Sequence, residues 1–351
     1  MRVLIVDDSP VLRMLLTSVL EGAGFEVREA DGGEQALRVL QSYRPDIVTM
    51  DVHMPGMDGY EATARILEKY ALPVVVLTAS ANAYAAATAM HALEAGALAV
   101  LEKPQGPWAA NFEERIEELL STLRSMAQVK IVRRPRAPRP TTASLPPGRP
   151  ESSAQPLLVA IAASAGGPAA LKELLSRLAP QQPWPLLLAQ HIAAGFVASF
   201  RDWLASICPL AVAIAENGQL LRPGVLYLAP DDSQLGVGRE LRVHLQRRNG
   251  ELHCPSADHL FNSVAQRLGS QAIGVQLSGM GRDGAEGLAE MYRRGALTIV
   301  QEPASAVIDA MPQAAIGLQA ARQVLPPEGI AALLNSIALR GTSRSTVPKG
   351  E

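Results

Sequence analysis

Short runs of β-branched and aliphatic residues alternate with helix-patterned segments in two series along this chain, and a segment rich in proline and arginine separates them. Such alternation predicts parallel sheets with helices packed against both faces. Residues 129–156 have almost no apolar periodicity, so they cannot bury enough surface to fold and should form an extended linker. We therefore predict domains at residues 1–127 and 156–340, a linker at 128–155 and a flexible tail at 341–351.

The first series contains five strand–helix pairs. Its predicted strands cover residues 3–6, 25–28, 47–50, 74–77 and 97–101, and its predicted helices cover 11–21, 33–41, 59–70, 84–95 and 112–126. Parallel strands joined by right-handed crossovers place the loops after the strands along one edge of the sheet. The prediction is a doubly wound, flavodoxin-like α/β domain with a five-stranded parallel sheet.

The second series predicts a doubly wound, Rossmann-like α/β domain that includes an antiparallel hairpin. Its other strands are predicted at residues 157–163, 186–190, 210–215, 272–277 and 297–301, and its helices at 169–178, 196–207, 260–268, 285–293, 311–317 and 329–338. Residues 224–229 and 241–246 are separated by turn signals, and we predict that they pair as antiparallel strands.

Composition narrows the functional classes. The net charge of −2 offers no bulk attraction to nucleic acid or to an anionic membrane, and no apolar stretch is long enough for a membrane span. The opening apolar run stops at Asp7, which is typical of a strand and not of a signal peptide. Cys208 and Cys254 lack metal-ligand spacing and are interpreted as free thiols in a reduced compartment. We expect a soluble cytoplasmic protein without nucleic-acid partners or membrane insertion, although the linker arginines leave a nucleic-acid arm open.

Polar side chains follow the strands of the first domain. They are Asp7 and Asp8 after the first strand, Asp51 after the third, Thr78 after the fourth and Lys103 after the fifth. Carboxylates gathered at one crevice repel one another unless a divalent cation joins them, and hard oxygen ligands suit Mg²⁺. A hydroxyl and an ammonium at the same edge are placed to contact a phosphoryl group on Asp51. The alternative is that the aspartates only cap helices and turns.

This set resembles the receiver domain of response regulators. The resemblance rests on Val6-Asp7-Asp8-Ser9, on residues 50–59 (MDVHMPGMDG), on Thr78-Ala79 and on Lys103-Pro104. It implies phosphorylation of Asp51 by a histidine kinase. The implied Mg²⁺ ligands are Asp7, Asp8, Asp51 and the His53 carbonyl, and the implied phosphoryl contacts are Thr78 and Lys103. Val100 stands where many receivers have an aromatic switch residue, so we do not expect an aromatic-rotamer switch.

In the second domain a predicted strand runs into Ser164-Ala165-Gly166-Gly167-Pro168 and then into a helix. Small residues let a substrate approach the backbone there, and a helix N-terminus stabilises an anion. Taken alone, the motif fits an exposed nucleophilic serine, a phosphate-cradling turn or a plain helix cap. It lacks the complete G-x-G-x-x-G fingerprint and a P-loop lysine.

A histidine and an aspartate follow two other strands of this domain. His191 ends the neighbouring strand, where it can serve as the base for Ser164, although a lone histidine is more often structural. Asp283 ends a glycine-rich loop and can hold the imidazole tautomer. The order serine, histidine, aspartate differs from that of α/β-hydrolases, but triads are recognised by geometry and not by order.

These residues resemble the CheB-type methylesterase domain. The resemblance rests on Ser164-Ala165-Gly166-Gly167, Gln190-His191, residues 255–265 (PSADHLFNSVA), residues 278–284 (SGMGRDG) and Ala310-Met311-Pro312. It implies Ser164 as nucleophile, His191 as general base, Asp283 as its orienting partner and the Met280 backbone N–H as an oxyanion-hole donor. Ala162 and Ala165 stand where glycine and threonine are common, and Asp309-Ala310 stand where an apolar residue and glycine are common.

The resemblance also implies an activity. The substrate is expected to be the γ-methyl ester of glutamate on cytoplasmic helices of methyl-accepting chemoreceptors, with release of methanol, and receptor glutamine can be deamidated by the same chemistry. A chemotaxis histidine kinase is the expected phosphodonor. Mg²⁺ is expected to serve the receiver alone, the esterase step needs no cofactor, and the chain is expected to act as a monomer. The receiver is expected to block the esterase crevice until it is phosphorylated.

Other functions fit parts of the sequence. A receiver can control a binding module that sequesters a partner without catalysis, and esterase turnover separates that interpretation from an enzyme. A DNA-binding regulator is the commonest class of receiver-led protein, but the second half of the chain has no helix-turn-helix signal. A nucleotide-binding output lacks the phosphate-loop features it needs. The favoured interpretation is a phosphorylation-controlled methylesterase.

Overall fold

The computed structural model describes residues 1–78, 91–93, 95–109, 111–129, 156–192, 195–250 and 253–344. The chain divides into two compact units, Met1–Arg133 and Arg134–Glu351. Most of the predicted linker lies outside the described residues, as does most of the helix predicted over residues 84–95.

The N-terminal unit contains a five-stranded parallel sheet with strand order β2-β1-β3-β4-β5. The strands are β1 (Arg2–Val6), β2 (Glu26–Ala30), β3 (Ile47–Asp51), β4 (Val74–Thr78) and β5 (Ala99–Glu102), and the helices are α1 (Pro10–Gly22), α2 (Gly33–Val39), α3 (Gly59–Tyr70) and α4 (Phe112–Met126). Strands β3 and β4 are buried along their whole length, as expected for central strands of a sheet covered on both faces. The predicted receiver-like α/β fold is confirmed.

Helix α3 begins in direct contact with the end of β3. Asp58 caps the helix, since its side chain accepts the backbone N–H of Glu61 at 2.9 Å. The N–H of Gly59 is donated to the Val52 carbonyl at 3.0 Å. A Cβ atom on Gly59 would overlap the carbonyl oxygen of Asp51, so only glycine allows this approach.

We expect Gly59→Ala to destabilise the N-terminal unit by about 1–3 kcal/mol, because the added methyl group meets backbone that cannot rotate away. Urea denaturation of the full chain measures the effect. Gly32→Ala is the matched control, since a Cβ atom at Gly32 meets nothing within 4 Å. Equal midpoints for Gly59→Ala and the wild type would contradict this account of the contact.

The C-terminal unit contains a seven-stranded parallel sheet and a separate antiparallel pair. The strands are β6 (Leu158–Ala163), β7 (Leu186–Gln190), β8 (Ala211–Ile214), β9 (Val225–Leu228), β10 (Ser233–Val237), β11 (Val243–Arg247), β12 (Ala272–Gln276), β13 (Leu297–Gln301) and β14 (Gln323–Leu325). The helices are α5 (Gly167–Leu175), α6 (Val197–Ile207), α7 (Ala257–Leu268), α8 (Ala285–Arg293), α9 (Ala310–Gly317) and α10 (Pro327–Arg344). The order of the large sheet is β14-β13-β12-β6-β7-β9-β8.

The prediction that residues 224–229 pair with residues 241–246 is wrong. Strand β9 instead joins the large sheet, parallel to both β7 and β8. The antiparallel hairpin is formed by β10 and β11, with Leu235 opposite Leu245. Strand β10 was not predicted because Gly236 interrupts its apolar pattern. A Cβ atom on Gly236 would lie 2.8 Å from Ser263 Oγ, so the glycine lets β10 pack closely on α7.

Two further differences concern short or terminal elements. Strand β14 was not predicted, because it is only three residues long and lies at the edge of the sheet. Helix α10 continues to Arg344, into the predicted tail, and residues 345–351 lie outside the described part of the chain.

Small side chains on β6 bring the core helix α7 close to the centre of the large sheet. Ala160 and Ala162 belong to the same buried cluster as Leu260, Phe261 and Val264 of α7. This packing places the start of α7 beside the carboxyl ends of the central strands, where ligands bind in open α/β sheets.

Among the described helices, we find none with the length and apolar character that a membrane crossing requires.

Candidate active site and phosphorylation pocket

Ser164 lies in the tight turn between β6 and α5. Its N–H is donated to the Ser278 carbonyl at 3.0 Å, and its own carbonyl accepts the N–H of Gly167 at 2.8 Å. Gly166 has a φ of 73°, the left-handed conformation that favours glycine. The Ser164 side chain therefore stands at the amino end of α5, whose dipole favours negative charge.

His191 connects Ser164 to Asp283. Its Nδ1 atom lies 3.1 Å from Ser164 Oγ, and its Nε2 atom lies 2.8 Å from Asp283 Oδ2. A carboxylate can only accept, so Nε2 carries the proton and Nδ1 is left as the acceptor that faces the serine. The structure thus brings together the three residues predicted as a triad, in the arrangement of nucleophile, base and orienting carboxylate.

The Asp283 carboxylate is embedded at the start of α7. It accepts hydrogen bonds from Ser256 Oγ at 2.9 Å and from the N–H groups of Ala257 at 2.7 Å and Asp258 at 3.0 Å. Burial alone would raise the pKa of this carboxyl, but the bonds from His191 and from these backbone groups outweigh it and hold the pKa well below its ordinary value. Asp283 is therefore a fixed anion next to the imidazole.

Asp258 makes the reciprocal contact with α8. Its Oδ1 atom accepts the N–H of Gly287 at 2.7 Å, in the first turn of that helix. Burial raises the pKa of the Asp258 carboxyl. Each of the two helices is thus capped by an aspartate that lies at the start of the other, which fixes the loop that carries Asp283. Helix α7 begins at Ala257, earlier than predicted, and its cap, Ser256, is a helix-start signal that the sequence carries.

A second imidazole, His253, stacks on His191. The ring centroids are 4.5 Å apart and the planes differ by 8°. Burial, followed by the neighbouring His191, lowers the pKa of His253. His253 was not predicted as a site residue, because it lies in a loop without periodicity and its neighbours in the sequence do not indicate its partner.

We expect His253→Phe to change how stability depends on pH. Because the pKa of His253 is lowered in the folded state, the unfolded chain takes up a proton first as the pH falls through the ordinary value of 6.5. The wild type should therefore lose free energy of unfolding below that pH, and the variant should lose less. Urea denaturation from neutral to mildly acidic pH measures this, with His244→Phe at an exposed position as the control. Parallel pH curves for the wild type and His253→Phe would contradict the expectation.

The glycine-rich loop after β12 packs directly against Ser164. Gly279 donates its N–H to the Ile308 carbonyl at 3.1 Å, and a Cβ atom on it would lie 2.8 Å from Ser164 Cβ. The Gly279 N–H is therefore already engaged in a backbone hydrogen bond. Met280 is the next residue of this loop, and its N–H as an oxyanion-hole donor stays a prediction.

Ala162, Ala165 and Ala310, which stand where other residues are common, each fit their place around the site. Ala162 is fully buried in β6 and lies opposite Ala189 and Gln276 on the neighbouring strands. The Ala165 carbonyl lies 3.1 Å from Ser278 Oγ. Ala310 begins α9, so the residue after it, Met311, can pack against the glycine-rich loop.

In the N-terminal unit, Lys103 joins two of the predicted aspartates. Its Nζ atom lies 2.8 Å from Asp7 Oδ2 and 2.8 Å from Asp51 Oδ2. Carboxylate oxygens of Asp7, Asp8 and Asp51 all lie within 4.8 Å of one another. Burial raises the pKa of Asp7, which the hydrogen bond from Lys103 partly offsets. The predicted set is thus assembled at the ends of β1, β3 and β5.

The pocket has the donor chemistry of a magnesium site. Three clustered carboxylates offer hard oxygen ligands, and the His53 backbone lies against them, with its N–H 3.4 Å from Asp51 Oδ1. The Thr78 hydroxyl at the end of β4 is buried, and no residue in the described part of the chain hydrogen-bonds to it. A buried polar atom without a hydrogen-bond partner costs free energy. The Thr78 hydroxyl is therefore suited to bind a group that enters the pocket.

An α/β unit with a Ser-His-Asp constellation, preceded by a receiver-like unit with an acidic pocket, defines a receiver-linked esterase as the class of protein. Comparison with known protein families leads to the same class. Residues 159–334 match the family model described as CheB methylesterase, and residues 3–110 match the response regulator receiver domain. The chain belongs to the CheB methylesterase family of carboxylic-ester hydrolases and carries a receiver domain.

Individual relatives cover nearly the whole chain. A protein-glutamate methylesterase/protein-glutamine glutaminase of Hahella chejuensis is 49% identical over 97% of this chain and 99% of its own length. A protein of the same description from Anaeromyxobacter dehalogenans is 44% identical over 94% of this chain and 97% of its own. The crystal structure of the Thermotoga maritima CheB methylesterase catalytic domain is 30% identical, with a TM-score of 0.50 over 52% of this chain and 99% of that one.

Proposed function

We propose that this chain hydrolyses the γ-methyl esters of glutamate side chains on cytoplasmic helices of methyl-accepting chemoreceptors and releases methanol, in chemosensory adaptation. The observation that carries the proposal is the continuous contact from Ser164 Oγ through His191 to Asp283. The names of the relatives supply the substrate class. The same acyl transfer would convert receptor glutamine to glutamate with release of ammonia.

The proposed reaction has two halves. In the first, Ser164 Oγ attacks the ester carbonyl while His191 Nδ1 takes the hydroxyl proton and then gives it to the departing methoxide, so that methanol leaves and an acyl-serine remains. In the second, water loses a proton to His191 and attacks the acyl-serine, and His191 gives that proton to the departing Ser164 Oγ, which restores Ser164 and leaves glutamate. The Met280 N–H is the proposed donor to the oxyanion, and Asp283 stabilises the imidazolium in both halves.

In the receiver, Asp51 is the proposed phosphoryl acceptor and a chemotaxis histidine kinase the proposed donor. Asp7, Asp8, Asp51 and the His53 carbonyl would hold Mg²⁺, which supplies positive charge against the carboxylates and the incoming phosphoryl oxygens when bound. Thr78 and Lys103 would contact the phosphoryl group on Asp51, the lysine by leaving its present ion pairs. Val100, in the edge strand β5, has no aromatic ring, so an aromatic-rotamer switch is not part of this proposal.

Phosphorylation is proposed to raise the esterase activity by shifting the population of two states of the receiver. A phosphoryl group can do this only if it interacts differently with the restraining and the permissive state. The re-pairing of Lys103 provides such a difference within the N-terminal unit. A chain that starts at residue 128 should then have a higher basal activity than the unphosphorylated full chain, and an unchanged basal rate would refute restraint by the receiver.

Mass spectrometry of a methylated chemoreceptor fragment tests the chemistry. We expect wild-type protein to remove methyl groups from glutamate esters, and Ser164→Ala to remove none. Ser206→Ala is the control, since Ser206 Oγ donates to the Trp203 carbonyl within α6, and its activity should equal that of the wild type. A loss of methyl groups that continues in Ser164→Ala would refute Ser164 as the nucleophile. Tight binding of the fragment without turnover would instead favour a module that sequesters it.

A further inference from the structure

Buried glutamines are concentrated around the proposed triad. The described part of the C-terminal unit buries the side chains of Gln182, Gln190, Gln234, Gln276 and Gln301. An amide in an apolar interior costs free energy unless it is hydrogen-bonded, so each such residue calls for a reason. All of them except Gln182 bind the backbone of a segment that carries a site residue.

Gln190 ends β7 and ties the nucleophile to the base. Its Nε2 atom donates to the Ser164 carbonyl at 3.0 Å and to the His191 carbonyl at 2.9 Å. Gln301 ends β13, and its Oε1 atom accepts the N–H of Ser278 at 2.7 Å. Ser278 in turn accepts the N–H of Ser164, so this second amide also acts on the nucleophile turn.

The other two glutamines act on the carboxylate side of the triad. Gln276 ends β12, and its Nε2 atom donates to the Asp283 carbonyl at 3.0 Å. Gln234 on β10 donates to the His253 carbonyl at 2.8 Å and accepts the N–H of Ser256 at 2.6 Å. Ser256 is the residue whose hydroxyl binds Asp283, and His253 is the ring stacked on His191.

Glycines allow two of these amides to lie directly under the loops. A Cβ atom on Gly167, in the nucleophile turn, would lie 2.5 Å from Gln190 Oε1. A Cβ atom on Gly284, next to Asp283, would lie 2.5 Å from Gln276 Oε1. The nucleophile turn and the aspartate loop are thus built alike, each with a glutamine at a strand end and a glycine that makes room for it. Aliphatic side chains at these strand ends would fill the same volume but leave the loop carbonyls without donors.

We propose that Gln190, Gln234, Gln276 and Gln301 are positioning residues, whose buried amides hold the loops of Ser164, His191 and Asp283 in their reactive geometry. The proposal rests on the proposed esterase function of that triad. A small displacement of a reacting group is costly, since an error of about 1 Å can lower a rate by about 10²-fold. Substrate contacts are not changed by these amides, so their loss should lower kcat and leave KM near its original value.

The test compares Gln276→Met, Gln234→Met and Gln182→Met in the full chain, with kcat and KM measured from methanol release by methylated receptor membranes. Methionine keeps the volume and removes the hydrogen bonds. We expect the first two variants to lose about 10- to 100-fold in kcat with less than about a threefold change in KM. Gln182 binds the Ala179 carbonyl and Asn335 away from the site, so Gln182→Met should lower the unfolding midpoint and keep kcat.

An Asp283→Asn background separates positioning from general damage. If Gln276 acts through Asp283, Gln276→Met should cost nothing further there, whereas a merely structural defect would lower the residual rate again. Wild-type kcat in both Gln276→Met and Gln234→Met, or equal losses in Gln182→Met, would overturn the proposal. Ser164→Ala is assayed in parallel, and full activity in that variant would instead refute the triad on which the proposal rests.

Discussion

We expect Asp283→Asn to lower kcat for methyl ester hydrolysis by about 10³- to 10⁴-fold while the protein stays folded. The carboxylate accepts from four donors, including His191 Nε2 and two backbone N–H groups at the start of α7. Asparagine has a single acceptor oxygen, and its amide N–H groups would face donors. The imidazole would lose its fixed tautomer, and the imidazolium formed during the reaction would lose its counter-ion. Methanol release from methylated receptor membranes measures the rate, and circular dichroism checks the fold.

Asp258→Asn is the matched control for this change. Asp258 lies in the same pair of helix caps, but its contact with the Gly287 N–H can be made equally by an amide oxygen. We expect its kcat to stay within about threefold of the wild type, since it does not contact the imidazole. Comparable rates for Asp283→Asn and Asp258→Asn would show that the carboxylate next to His191 has no special role.

Asp51→Asn is expected to abolish the response to a phosphodonor while leaving the basal esterase rate in place. The amide cannot accept a phosphoryl group, and it also removes one of the oxygen ligands proposed for Mg²⁺. The measurements are incorporation of labelled phosphate from a small-molecule phosphodonor and the ratio of methanol release with and without it. The wild type should incorporate phosphate only with Mg²⁺ present.

Asp46→Asn provides the comparison in the same unit. Asp46 is a partly exposed carboxylate that pairs with Arg2, so its loss should change neither phosphate incorporation nor stimulation. Phosphate incorporation that persists in Asp51→Asn, or a stimulation that survives there, would mean that another residue is the acceptor.

The part of the site that follows strand ends could be predicted from the sequence. Carboxyl ends of parallel strands share one edge, so Ser164 after β6 and His191 after β7 had to be neighbours once the strands were recognised. The same rule placed Asp51 near Lys103. In each case a strong apolar run ended at a polar residue, which is the clearest signal that a sequence gives of a strand end.

Residues that act across sequence-distant elements could not be predicted. Gln276 and Gln301 end buried strands, but nothing in their local pattern shows which loop an amide binds. His253 faces His191 only because α7 and β10 fix the loop before α7. Strand β9 was predicted with the wrong partner, because a short apolar run fits a parallel or an antiparallel partner equally well until the neighbouring strands are placed.

The central claim is a Ser164-dependent esterase under the control of Asp51. It is tested most directly by methanol release from methylated receptor membranes, with and without a phosphodonor, using wild type, Ser164→Ala and Asp51→Ala. The account predicts release that requires Ser164 and that rises with the phosphodonor only when Asp51 is present. No release from folded wild-type protein with a cognate receptor under either condition would contradict it and would favour a receiver-controlled binding module.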